Sequence, residues 1–230
     1  MGVKILNFEY WGIALTLFTY WIGIKIKEKY NNALLSPIII SIFLCIIVLL
    51  LGDIEYSEYQ KSTKPISLLL TPSTAVLALS LHRQIKVLKQ NAVAIFCSLV
   101  VGVLTSLSTI LVGSLVFNLS QNIYISLLPK SITTAIGVGI SEKMGGIVAI
   151  TAVAIIITGI MGYIIIPNLC KFFNITSPVA EGIALGSASH VMGTAKAFEL
   201  GEIQGAISSI SIIISGLLTV LIAPLFVSNL

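Results

Sequence analysis

From Asn91 to Pro129 the chain carries no acidic or basic residue. That run exceeds the roughly 20 apolar residues that span the hydrocarbon core of a bilayer. Backbone N–H and C=O groups find no partners in hydrocarbon, so the run is expected to fold as helix. The polar cluster Asn118, Ser120, Gln121 and Asn122 marks the turn that divides it. Ala92 to Phe117 is then one span. Met144 to Leu169 and Ile203 to Leu230 are further charge-free stretches, each with a proline near its C-terminal end (Pro167, Pro224). Asn31 to Gly52 is uncharged and has Pro37 in its first turns, where a missing donor does little harm. Tyr10 to Ile24 is shorter. It is framed by Tyr10, Trp11, Tyr20 and Trp21, and Lys25, Lys27 and Lys29 at its exit can snorkel to headgroups.

Composition closes the soluble alternative. Only 10% of the residues are charged, against about a quarter in a typical soluble domain, so most of the exterior must face lipid. The formal charge of +4 is spread over short clusters between apolar runs, which sets topology and does not form a nucleic-acid patch. The first apolar run has no small-residue cleavage site and is expected to remain as a helix. Cys45, Cys97 and Cys170 are isolated from one another, without metal-ligand spacing, and read as packing residues. The expected fold is an all-α integral membrane protein, one transmembrane domain over residues 1–230, with no metal and no cofactor.

Three segments, Pro65 to Leu81, Ile123 to Ser141 and Glu181 to Glu199, are interrupted by proline, glycine or polar residues. Such segments survive at membrane depth only against protein or a wet cavity, and discontinuous helices are where transporters bind cargo. Counting each as one crossing predicts about seven to eight transmembrane segments. Lys25, Lys27, Lys29 and Arg83, Lys86, Lys89 flank the acid-rich loop of Asp53, Glu55 and Glu58. The basic loops are thus expected in the cytoplasm and the N-terminus outside. Leu70–Val76 precedes one long helix as Leu128–Ile136 precedes another, suggesting repeats over about 31–117 and 121–230 in an inverted-repeat transporter fold.

The chemistry concentrates at the interruptions. Thr71-Pro72-Ser73-Thr74 reads either as a helix start whose free N–H groups attract a carboxylate or as a proline kink with back-bonded hydroxyls. Lys130, between Pro129 and Ser131, is the one charge from Asn91 to Ser141. A lysine at mid-membrane costs on the order of 2.5–3.5 kcal/mol, which marks a functional residue, the other reading being a snorkel to the interface. Ser131, Thr133 and Thr134 lie beside it. In Gly186–Lys196, Ser189, His190, Gly193 and Thr194 form a third group. His190 either relays a proton or bonds a backbone carbonyl across a helix interface; whether a proton or sodium couples transport stays open. No nucleophile elbow or acid pair surrounds Ser189, so the chain is not expected to be an enzyme. Gly182/Gly186 and Gly201/Gly205 have the spacing of close helix packing.

The strings Leu128-Pro-Lys-Ser-Ile-Thr-Thr134, Ala188-Ser-His-Val-Met-Gly-Thr-Ala-Lys-Ala197 and Leu217-Leu-Thr-Val-Leu-Ile-Ala-Pro224 resemble the LrgB/CidB family of membrane proteins. The resemblance runs from about Pro37 to the end of the chain. Members were first described as antiholin-like regulators of murein hydrolases, and relatives include a plastid glycolate/glycerate translocator and bacterial pyruvate carriers. The resemblance implies carriage of a small monocarboxylate across the cytoplasmic (inner) membrane, with a small holin-like partner of the LrgA/CidA type. It leaves open a homo-oligomer, and a role as regulator or pore component in lysis. Where relatives carry proline after the paired threonines, this chain has Ala135. That shifts the expected break to Pro129 and the Gly137/Gly139 pair. The expected substrate-binding set is Thr71, Ser73, Thr74, Lys130, Ser131, Thr133, Thr134, Ser189, His190, Gly193 and Thr194.

Overall fold

A computed structural model describes residues 10–30, 37–69 and 82–227. The chain forms two compact units, the first ending at Val76 and the second beginning at Leu77.

In the first unit, α1 (Trp11–Tyr30) packs on α2 (Pro37–Leu51). Polar groups meet at their interface: Thr19 Oγ1 lies 2.9 Å from Ser41 Oγ and 3.2 Å from Cys45 Sγ. A short α3 (Tyr56–Ser62) docks on the start of α1 through the Tyr59 hydroxyl, 2.7 Å from Thr16 Oγ1, and α4 (Lys64–Leu68) follows. The acidic stretch expected as a loop is thus partly helical. Glu58 sits in the first turn of α3, where a negative charge suits the helix dipole. Residues 31–36 and the break at Thr71, Ser73 and Thr74 lie outside the described residues.

The second unit begins its described part near α5 (Ile85–Gln90) and is built on three long helices: α6 (Ala92–Val116), α9 (Val148–Phe172) and α11 (Glu202–Val227). Each is long and apolar enough to cross a membrane. At 1.5 Å per residue, their 25 or 26 residues reach roughly 38 Å. On α6 the buried residues Ile95, Leu99, Val103, Leu107, Ile110 and Ser114 fall at helical spacing on one stripe. Phe96, Val101, Leu104 and Val112 are exposed on the remaining surface, as a lipid-facing helix requires. Val103, Leu107 and Ile110 close a core with Tyr124, Ile125 and Leu128.

Between the long helices lie the interrupted ones. The segment expected at Ile123 to Ser141 is two pieces, α7 (Gln121–Leu127) and α8 (Thr134–Met144). Pro129 removes a donor from the first, and the extended backbone of Thr133 (φ −65°, ψ 145°) starts the second. The break is therefore at Leu128–Thr133, and the expectation that Gly137 and Gly139 share it is corrected: both are helical. A Cβ at Gly137 would sit 2.7 Å from Ile155 Cδ1, so that glycine serves close approach to α9. The expected helix from Met144 is corrected likewise. Met144 closes α8, Gly145 takes the left-handed conformation (φ 89°), and α9 starts at Val148.

The third interrupted segment, α10 (Pro178–Leu200), is broken at His190, whose backbone is non-helical (φ 42°, ψ −131°). It packs along α11 through small residues. A Cβ at Gly182 would lie 2.7 Å from the Gln204 carbonyl, and one at Gly186 would run into the Ser208 carbonyl. Both glycines of that pair are buried in the helix interface.

Candidate functional site

The Leu128–Thr133 break is held rigidly. Leu128, Pro129 and Ile132 are buried, and turn bonds run from Lys130 N to Leu127 O (3.1 Å) and from Ile132 N to Pro129 O (3.3 Å). Tyr124, buried in α7, donates its hydroxyl to Phe226 O at 3.0 Å and ties α7 to the carbonyl end of α11. Turn bonds thus satisfy part of the backbone of the interruption.

Lys130 is half-buried. Its ammonium reaches Ser131 Oγ at 3.4 Å, too long for a strong bond. Ser131 Oγ in turn pairs with Ser106 Oγ of α6 at 3.1 Å. These serines border a cavity of about 10 Å³ that is also lined by Ser187 of α10 and by Ser215 and Thr219 of α11. Hydroxyls from three helices and the break therefore converge beside a cation that pairs with no carboxylate among the described residues.

Of the other expected residues, Thr133 is half-buried at the start of α8, and Thr134, its first residue, is exposed. Ser189, His190, Gly193 and Thr194 belong to different surroundings. His190 Nε2 lies 3.0 Å from Ile155 O of α9, so that nitrogen donates, and Gly159 leaves room for the ring. The geometry matches the carbonyl-bonding alternative for this histidine. Ser189 Oγ is buried against Gly162 and has no hydrogen-bond partner among the described residues. A Cβ at Gly193 would collide with the Leu185 carbonyl. Thr194 Oγ1 donates to His190 O (3.1 Å) and pairs with Ser208 Oγ (2.7 Å). This group knits α10 to α9 and α11, while Ser131 lines the cavity and the Lys130 ammonium lies 3.4 Å from its hydroxyl.

His190 gives a direct test of that knitting role. A non-glycine residue at φ 42° stores about 1–3 kcal/mol of strain, and its ring bond returns about 1 kcal/mol. His190→Ala is expected to melt below wild type in detergent, while His190→Gly, which relieves the strain, melts above His190→Ala. The reverse order of the two melting points would refute this assignment.

Sequence reasoning missed Ser106, Ser187, Ser215 and Thr219. A signal exists for the last two: Ser211, Ser215 and Thr219 recur every fourth residue in an otherwise apolar span and are all buried. No comparable signal singles out Ser106 or Ser187.

The chain matches the pattern of the LrgB-like family over residues 16–229. Proteins named antiholin-like protein LrgB from Bacillus cereus (strain B4264) and Bacillus anthracis (strain A0248) are each 34% identical to it over 218 residues, covering 94% of this chain and 95% of theirs. No solved structure matches it.

Proposed function

We propose that this chain, which belongs to the LrgB-like family, carries small monocarboxylates of the pyruvate, glycolate or glycerate class across the cytoplasmic membrane by alternating access. The observation that carries this reading is Lys130: a half-buried cation at the interruption of a helix, set against a cavity ringed by hydroxyls. A cation there suits an organic anion, and the hydroxyls suit its remaining oxygens. Two interrupted helices in the second unit support a carrier architecture, since irregular backbone at membrane depth belongs to a polar path. The carrier crosses the membrane about seven to eight times as an inverted repeat, with Lys25–Lys29 and Arg83–Lys89 on the cytoplasmic side. The ring bond of His190 to a carbonyl supports a positioning role for it over proton relay.

A second reading has its own support. The relatives are named antiholin-like, which favours a regulator or pore component that controls murein hydrolase activity and lysis together with a small LrgA/CidA-type membrane protein. Proteoliposomes loaded against labelled pyruvate, glycolate and glycerate separate the two. Saturable uptake that distinguishes the enantiomers of glycerate is expected of the carrier; leak without selectivity, or no flux, would favour the regulator.

A further inference from the structure

We infer that Ser187 and Thr219 are specificity-determining residues of the carrier, their hydroxyls receiving the oxygen that the cargo bears on the carbon next to its carboxylate. This rests on the carrier reading above and concerns the cavity lined by Ser131, the neighbour of Lys130.

Of the five hydroxyls around the cavity, three are already engaged. Ser106 and Ser131 pair with each other at 3.1 Å, and Ser215 donates to Ser211 O at 2.6 Å. Ser187 and Thr219 have no hydrogen-bond partner among the described residues, although Thr219 is only 5% exposed. Ser187 is half-buried, and both residues line a cavity with largely apolar walls, where a hydroxyl without a protein partner is completed by a ligand or an ordered water. The space of about 10 Å³ is about one water's worth of room, enough for a single oxygen atom and not for a carboxylate.

The cage itself carries no charge. Its other walls include Val103, Leu107, Leu128 and Ile132, which exclude water and strengthen any hydrogen bond made inside. Lys130 is not part of the lining, and its ammonium lies 3.4 Å from Ser131 Oγ. The charge pattern therefore sorts the two ends of a hydroxy or keto acid: carboxylate toward Lys130, neutral oxygen into the cage. Hydroxyls both donate and accept, so the same cage takes a keto or a hydroxy oxygen. Acetate and propionate would leave it unpaired.

The test uses the full chain in proteoliposomes, with labelled glycolate uptake competed by unlabelled glycolate, pyruvate, acetate or propionate. Wild type is expected to prefer glycolate over acetate by about tenfold or more, because a site built to bond an oxygen rejects the analogue lacking it. In Ser187→Ala/Thr219→Val the preference is expected to fall about tenfold, chiefly through weaker glycolate binding, and Thr219→Ser is expected to retain it. If the double variant does not fold, Thr219→Val alone, which preserves shape, is expected to lower the ratio severalfold. Uptake that persists in the variants with an unchanged ratio would show that the cage holds a structural water only and overturn the inference. Absence of any saturable uptake in wild type would instead bring down the carrier reading, and this inference with it.

Discussion

Lys130→Ala is expected to abolish carboxylate uptake in proteoliposomes while leaving the protein folded in detergent. The two halves of that result have one cause. Holding an ammonium at membrane depth costs on the order of 2.5–3.5 kcal/mol, and the fold recovers little of it, for the bond the side chain makes among the described residues is 3.4 Å long. Removing the charge should therefore leave the melting temperature unchanged or raised. A charge-assisted hydrogen bond to a bound anion is worth about 1.5–3 kcal/mol, so loss of the lysine should weaken binding roughly 10- to 100-fold. Lys130→Arg is expected to fall between, because a planar fork does not reproduce the point charge of an ammonium. Carboxylate affinity equal to wild type in the alanine variant would remove Lys130 from the site.

Gly186→Val is expected to be the most destabilising single change at the α10–α11 contact. Even the first added carbon would meet the Ser208 carbonyl, with Ser208 Oγ and Ser211 Cβ each at 2.8 Å. The obstacle is backbone, which cannot rotate away, and the helices must separate along their length. Overpacking of this kind costs about 1–3 kcal/mol or more. Gly102→Ala is the matched control: nothing lies within 4 Å of its Cβ position, and alanine gains up to about 1 kcal/mol in helix propensity. Thermal unfolding in detergent should lower the first and leave the second equal to or above wild type. Equal melting of the two variants would show that the α10–α11 approach is looser than its geometry implies.

Much of the fold can be read along the chain because hydropathy and backbone breaks are local. Uncharged runs predict α6, α9 and α11 to within a few residues, since each must satisfy its own backbone in lipid. Pro129 announces the α7–α8 interruption because proline lacks a donor. Gly137 and Gly139 are misread as breakers: both are helical, and a glycine kept for close packing, as Gly137 is, looks the same in sequence as one kept for unwinding. Glu181 to Glu199 reads as interrupted, but the position of its break at His190 is not announced: neither proline nor glycine stands there, and the ring is held from outside by the Ile155 carbonyl.

The site divides the same way. Lys130 stands out in the sequence because a lone charge in an apolar run is expensive wherever the rest of the protein lies. That Ser131 shares a cavity with Ser106, Ser187, Ser215 and Thr219, while Ser189 and Thr194 turn toward other helices, depends on how helices remote in sequence are rotated about their axes. Residue order by itself determined a helical membrane protein with a lone cation at a break, because solvation by lipid acts on each segment separately. Only tertiary packing decided which hydroxyls share the cavity beside that break, because one residue's shift along a helix turns a side chain by about 100°, and nothing short of the assembled helices sets that angle.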